Sequence, residues 1–168
     1  MKKLLLWLLV LASAGMIYLF SAQEASVSNQ VSGRVVKAVI RIAEPDYHRM
    51  PAELQRITFS RYDTIVRKIA HFTEFLLLGL GLSLLLYAYG LKYSPLWACI
   101  LGGIYACLDE FHQYFVDGRA MRAHDALIDG MGLLCGAALA GLIMLRRRAK
   151  KASASRETEE APAQGEEA

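Results

Sequence analysis

The hydrophobic residues of this chain are gathered into four long blocks instead of alternating with polar residues. A helix needs about 20 mostly apolar residues to cross the hydrocarbon core of a bilayer, and each block has roughly that length. The pattern therefore predicts an all-α integral membrane protein, a four-helix bundle in a single domain over residues 1–148. The predicted spans are about 4–20, 68–89, 96–115 and 124–145.

The third block is the most informative because polar residues interrupt it. Leu96–Leu108 is uncharged and mostly apolar, but it is too short to cross a bilayer alone. The span is therefore expected to continue through Asp109-Glu110-Phe111-His112-Gln113 to about Phe115. A carboxylate inside a membrane costs roughly 2.5–3.5 kcal/mol on the insertion scale, so a chain that keeps several must pair them or use them.

The flanks of the blocks predict the orientation. Met1-Lys2-Lys3 and the apolar block after it resemble a signal peptide. The block is long for that role, however, and bulky Phe20 stands where a cleavage site needs a small residue, which favours an uncleaved anchor. Lys2, Lys3 and Arg146–Arg148 flank the two ends, so the positive-inside rule predicts a multi-pass protein of the bacterial plasma membrane with both termini cytoplasmic. Residues 149–168 lack apolar periodicity and are predicted to be a disordered cytoplasmic tail.

The first outer loop is predicted to contain short helices at the membrane interface. Its apolar helical face consists of Val31, Val35, Ala38, Val39 and Ile42, and its opposite face of Arg34, Lys37 and Arg41. Such a helix either lies among the lipid headgroups or packs on the spans with its basic stripe solvated. Pro51 is expected to start a second short helix, and Asp63 to cap the second span.

Two lines of small residues predict where the spans pack closely, since small residues let helix backbones approach each other in lipid. The lines are Gly132, Gly136 and Ala140 on the fourth span, and Cys99, Gly103 and Cys107 on the third. Because the cysteines lie within apolar blocks, we interpret them as packing residues and expect neither a disulfide nor a thiolate metal site.

Polar residues of three predicted spans fall at a common depth. At a rise of ~1.5 Å per residue, Glu74, Asp109 and Asp129 each lie roughly 6–9 Å below the outer ends of their spans. Three carboxylates at one level predict a shared polar site near the outer face. Its candidate residues are Arg67, Lys68, His71, Glu74, Asp109, Glu110, His112, Gln113, Asp125 and Asp129, with Arg119 in the loop that joins spans three and four.

Three interpretations of this site stay open, with proton or ion transport as a fourth. Intramembrane ionisable groups usually pair, which favours a structural network. A binding pocket for an envelope lipid, peptide or glycopeptide would direct Arg67, Lys68 and Arg119 at phosphate or carboxylate groups. A membrane-embedded enzyme acting on a lipid-linked substrate would use acid–base or metal chemistry. Its candidate groups are His71, Glu74, Asp109 and His112.

The spacing of these residues matches no known metal signature, so no metal and no cofactor is assigned. The expected partners are membrane lipids and a cell-wall precursor or glycopeptide. Nothing in the sequence indicates nucleic-acid binding.

Taken together, these motifs resemble the VanZ-like family of small bacterial membrane proteins, over about residues 5–145. The matching stretches are Arg67–Phe75, Leu108–Gln113, Gly118-Arg119 and Asp125–Gly132, and Phe20-Ser21-Ala22-Gln23 with Ser26 and Ser32 is similar to the family's start after the first span. One departure is Asp129, where the family usually has Asn, which adds an acidic group.

The resemblance implies an integral membrane protein of the bacterial cell envelope. The family's namesake is associated with resistance to teicoplanin, a glycopeptide antibiotic that acts on cell-wall precursors. The resemblance implies no established enzyme activity and no cofactor. We therefore expect a protein that binds or modifies an envelope component at the outer membrane boundary, with an effect on glycopeptide susceptibility as one consequence.

Overall fold

The computed structural model describes residues 2–22, 25–116 and 123–160. These residues form five α-helices, one short 3-10 helix at Tyr47–Arg49 and no strand, so the all-α fold class is confirmed. The helices are α1 (Lys2–Ser21), α2 (Ala25–Ala43), α3 (Ala52–Ala88), α4 (Ser94–Gln113) and α5 (Ala123–Glu160).

Three helices of the described residues, α1, α3 and α5, are long and apolar enough to cross a membrane. α4 is not among them, because Asp109 and Glu110 in its last turns lower its mean hydropathy. Helices of this kind indicate a membrane location for the chain.

The second span and the short helix predicted after Pro51 are one continuous helix. α3 begins at Ala52, directly after Pro51, and runs for 37 residues to Ala88. Asp63 is therefore not a cap; it lies within α3, buried, with its Oδ2 2.9 Å from Nη2 of Arg67. The prediction of a separate helix was wrong because no Gly or Pro breaks the sequence between Pro51 and Gly79.

The fourth predicted span also belongs to a longer helix. α5 has 38 residues and continues to Glu160, so the tail predicted to be disordered from residue 149 begins as a helix, and residues 161–168 lie outside the described residues. The segment after Leu145 is rich in Arg, Lys, Ala and Glu, which are strong helix formers, and residues 146–156 are exposed, so helix propensity accounts for the continuation there.

α2 packs on α3, but through a different face from the predicted one. Val36 and Ile40 are buried, whereas Val35 is exposed and Ile42 is 83% exposed. The side chain of Val31 lies outside the described part of the chain. Of the two alternatives, packing of the predicted face on the spans was wrong, because α2 carries apolar residues on two faces and contact with α3 selects the face of Val36 and Ile40. Contact of the predicted face with lipid stays a prediction.

The glycine line on α5 forms the closest helix contact of the fold. A β-carbon at Gly136 would fall on the backbone of Leu76 and Leu80, and one at Gly132 on the backbone of Phe72. Ala140 extends the line and is fully buried. We call this contact between α3 and α5 the glycine seam; it agrees with the predicted role of small residues.

The small-residue line predicted on α4 is one position out of register. Gly103 faces open space and Cys107 is exposed, whereas a β-carbon at Gly102 would meet the side chain of Leu133. Ala98 and Ala106 lie on the same buried face as Gly102. The sequence favours neither line, because the two have similar composition and the same spacing.

α3 is the central helix and packs against the other four, most extensively against α5. The apolar core includes Phe75, Leu78 and Leu85 of α3. Many aliphatic side chains on the outside remain exposed, among them Leu11 at 60% and Leu127 at 67%. An apolar exterior around an apolar core is what lipid contact requires.

One end of the bundle is basic and aromatic. Nζ of Lys3 lies 4.3 Å from the ring centre of Tyr89, and Cζ of Arg148 lies 5.6 Å from that of Tyr87. Nε1 of Trp7 donates a hydrogen bond to the Tyr89 hydroxyl at 3.2 Å. The start of α1 and the basic segment of α5 therefore lie together, beside the C-terminal end of α3.

Candidate functional site

Toward the opposite end, four helices bring acidic, imidazole, amide and hydroxyl groups together. We call this group the polar cluster. Its members are Ser21 of α1, His71 and Glu74 of α3, Asp109 and Gln113 of α4, and Asp129 of α5. All of them except His71 are buried, and the side chain of His71 is 20% exposed.

His71 lies between two carboxylates. Its Nδ1 is 3.9 Å from Oε2 of Glu74 and 3.9 Å from Oδ1 of Asp129. Glu74 follows His71 by three residues, so the two share a face of α3. Asp129 arrives from α5 because Gly132, less than one turn further on, lets that helix approach the backbone of Phe72, the neighbour of His71.

Asp109 ties α4 to the end of α1. Its Oδ2 accepts a hydrogen bond from Oγ of Ser21 at 2.8 Å and another from Nε2 of Gln113 at 2.8 Å. Gln113 and Asp109 are four residues apart in α4, and Nε2 of Gln113 also lies 3.1 Å from Oγ of Ser21. Two donors on one oxygen orient the carboxylate firmly, since hydrogen bonds to charged acceptors are the strong ones.

Ser21 is the member that sequence reasoning missed as a site residue. It is fully buried at the last residue of α1 and contacts Asp109 across 88 positions of sequence. The only signal for it was its place in the Phe20-Ser21-Ala22-Gln23 stretch, which the resemblance to the VanZ-like family included.

The two remaining candidates on α4 have different surroundings. The ring of His112 stacks on Tyr18 of α1, with the ring centres 5.2 Å apart. Its Nε2 is buried and has no hydrogen-bond partner among the described residues. Glu110 is 2% exposed and lies near Asp129.

One possible ligand atom each from His71, Asp109 and Asp129 lies within 4.8 Å of the other two. These residues come from three different helices. The set differs from the predicted group of His71, Glu74, Asp109 and His112, because the stacking of His112 on Tyr18 directs it to the contact between α1 and α4.

Comparison with known proteins supports the resemblance seen in the motifs. The sequence profile of the VanZ/LLP1 family matches residues 5–144. The chain belongs to the VanZ/LLP1 family. This match includes every member of the polar cluster. A search of curated proteins and a search of solved structures each find no match to the chain.

In this VanZ/LLP1 protein the basic candidates lie at the rim of the polar cluster. Nζ of Lys68 is 3.2 Å from Oδ1 of Asp125, and both side chains are partly exposed. Arg67 pairs instead with Asp63 of its own helix, a residue that was not predicted to belong to the site. Arg119, predicted to lie beside them, falls outside the described residues.

The arrangement offers two kinds of chemistry. An imidazole beside two carboxylates suits proton transfer, since histidine is the side chain that most often acts as a general acid or base. A buried excess of acidic groups also suits a cationic ligand, because buried charges need partners.

Proposed function

We propose that this VanZ/LLP1 protein is a four-span protein of the cell envelope whose polar cluster binds a component of that envelope at the outer membrane boundary. The observation that carries the proposal is the convergence of four helices on a buried group of ionisable side chains. Such groups are costly within a membrane, so a functional role is the first hypothesis for them.

The exterior of α4 supports a fourth span. Leu96, Ile100, Ile104 and Leu108 recur every four residues and are all exposed. At ~1.5 Å per residue, the 20 residues of α4 extend roughly 30 Å, which is about the thickness of the hydrocarbon core. A helix with an apolar outer face and polar residues turned toward its neighbours is what a functional span requires.

The distribution of basic residues supports an orientation with both termini in the cytoplasm. Lys3 and Arg148 lie at the same end of the bundle, and positive charge favours the cytoplasmic side. The polar cluster then lies toward the outer face. α2 is proposed to lie at the outer interface, where exposed Val35 and Ile42 contact lipid and Arg41 reaches the headgroups.

The rim supports an anionic ligand. Lys68 is partly exposed and contacts Asp125, so a phosphate or carboxylate from a lipid-linked cell-wall precursor can replace that carboxylate as its partner. The carboxyl groups of Glu74 and Asp129, in the polar cluster, would bind hydroxyl or amine groups of the same ligand. An effect on glycopeptide susceptibility is proposed as a consequence of binding such a precursor.

A second function is favoured by the 3.9 Å contacts of His71. A histidine held between Glu74 and Asp129 is arranged for acid–base catalysis on a lipid-linked substrate. Turnover of a labelled lipid-linked precursor by purified protein, lost in His71→Gln, would favour this enzyme over a binding protein.

The decisive experiment is a deletion strain profiled against cell-wall-active compounds and complemented with variants. We expect the deletion to change susceptibility to at least one compound, and Asp109→Asn or His71→Gln to fail to restore it at normal membrane abundance. Asp46→Asn is the matched control, because Asp46 is exposed and its side chain pairs with Arg49 of the same short segment, far from the polar cluster, and it should restore the response. Loss of abundance in step with the phenotype would favour a purely structural network instead.

The orientation has a separate test. With Cys99, Cys107 and Cys135 replaced by alanine, a single cysteine is introduced at Asp46 or at Lys92, and intact cells are treated with an impermeant thiol reagent. Labelling of Asp46→Cys without labelling of Lys92→Cys is expected. The reverse pattern would contradict the proposed orientation.

A further inference from the structure

The donors at the centre of the polar cluster have the composition of a metal site. His71 supplies an imidazole nitrogen, and Asp109 and Asp129 supply carboxylate oxygens. The three described cysteines are exposed or half-buried and are not part of this group. Imidazole and carboxylate donors without thiolate suit Zn²⁺, Mn²⁺ or Fe²⁺ better than soft ions.

Burial makes an ion between these residues physically reasonable. Asp109 is 5% exposed and Asp129 is 2% exposed, and they come from different helices that the fold holds side by side. Two buried carboxylates facing each other repel unless a proton or a cation lies between them. The hydrogen bonds from Ser21 and Gln113 to Asp109 are of the kind that orient ligating carboxylates.

Glu74 provides an independent indication of a ligand. The residue is 7% exposed, and its Oε2 is buried without a hydrogen-bond partner among the described residues. This oxygen points toward the same Nδ1 of His71 that lies near Asp129, at a distance of 3.9 Å. A buried carboxylate oxygen without a donor is costly, so its position calls for a partner that the described residues do not supply.

The spacing fits donors that surround an ion better than donors that bind each other. Two atoms that each lie about 2.0–2.2 Å from a common ion are roughly 3–4.3 Å apart. The two contacts of His71, both at 3.9 Å, fall in that range and are too long for hydrogen bonds. The ligand atoms of His71, Asp109 and Asp129 all lie within 4.8 Å of one another, so these side chains need to move inward only slightly to bind one ion.

We propose that His71, Asp109 and Asp129 bind one divalent first-row metal ion, with Glu74 beside its fourth coordination position. Metal binding itself is independent of the function proposed above. The role of the ion rests on that function: it would contact the phosphate or carboxylate of the envelope ligand, as a bound metal contacts the oxygen of a substrate.

The test uses the full chain, purified in detergent, stripped with a chelator and reloaded with Zn²⁺ or Mn²⁺. After gel filtration, we expect about one ion per chain in the wild type, and an affinity lower by roughly tenfold or more in Asp129→Asn. Asp63→Asn is the matched control, since Asp63 of α3 is a buried carboxylate like Asp129 of α5 but lies outside the polar cluster. It should retain the ion.

A second measurement covers variants that fail to fold. X-ray absorption of the wild-type protein loaded with Zn²⁺ should show a shell of nitrogen and oxygen donors that includes one imidazole and no sulfur. The inference is overturned if the folded wild type retains no stoichiometric ion with either metal, or if Asp129→Asn and the wild type bind equally.

The two proposals fail separately. If no ion binds but Asp109→Asn still loses the compound response at normal abundance, the metal site is wrong and the envelope function stands. If the wild type binds one ion but variants that cannot bind it restore the response fully, the metal site stands and the proposed function is wrong.

Discussion

The glycine seam and the polar cluster occupy neighbouring stretches of the same α3–α5 contact, and they are built in opposite ways. At the seam, Gly132 and Gly136 bring two backbones together by having no side chains. In the cluster, His71 and Asp129 fill the space between the same two helices with groups that stay 3.9 Å apart. The seam therefore sets the distance between the helices, and the cluster uses a space that the seam creates.

This difference predicts that fold and function are separable along one helix pair. The largest expected effect comes from breaking the seam. A leucine in place of Gly136 would place its side chain on the backbone of Leu76 and Leu80, where no rotamer relieves the clash. We expect Gly136→Leu to destabilise the fold by at least about 3 kcal/mol and to leave little folded protein in the membrane.

The control for this substitution is Gly103→Leu on α4. A β-carbon at Gly103 meets nothing within 4 Å, so the added side chain points outward. Membrane abundance and the gel-filtration profile of the two variants measure the contrast. Equal recovery of Gly136→Leu and Gly103→Leu would show that the seam does not set the helix spacing.

The sequence predicted the seam but not its counterpart on α4, and the reason is physical. Within residues 123–145 of α5, Gly132, Gly136 and Ala140 form the one line with three successive small residues four positions apart, so the pattern favours this line over its neighbours. On α4, Gly102 and Gly103 are adjacent, and both have small residues four positions away. Which of them faces Leu133 depends on the rotation of α4 about its axis, and that rotation is set by tertiary packing.

The candidate site divides in the same way. Spacing within one helix correctly paired His71 with Glu74 and Asp109 with Gln113, because those pairs follow from helical geometry. The partners across helices, such as Ser21 with Asp109, depend on contacts 88 residues apart in sequence. Asp129, and not His112, lies with His71 and Asp109, and this difference from the prediction also depends on how the helices pack against each other.

A moderate effect is expected when the polar cluster is altered. Asp109→Leu removes the acceptor that Ser21 and Gln113 share; Gln113 keeps its contact with Ser21, but the buried Ser21 hydroxyl loses its acceptor, which should cost about 1–3 kcal/mol. Asp109→Asn keeps an oxygen that can accept from Ser21, so its stability should stay within about 1 kcal/mol of the wild type. Unfolding of the purified variants in a denaturing detergent measures both.

The pair of variants sharpens the contrast with the seam. If Asp109→Asn is as stable as the wild type but fails in the complementation assay, the carboxylate serves function and not packing. An Asp109→Asn variant that unfolds as readily as Asp109→Leu would instead mean that its charge holds the helices together, and the separation between seam and cluster would be lost.

The smallest effect on stability is expected at the rim. The Lys68–Asp125 pair joins α3 to α5 at 3.2 Å, but both side chains are partly exposed, so its coupling energy should be below about 1 kcal/mol. A double-mutant cycle with Lys68→Met and Asp125→Asn measures it. Arg49→Met is the control for loss of an exposed basic side chain, since among the described residues Arg49 pairs with Asp46 of its own short segment. If Lys68 serves to bind an anionic ligand, Lys68→Met will lose the response to the compound with almost no loss of stability. A coupling energy of several kcal/mol between Lys68 and Asp125 would instead show that the pair stabilises the fold.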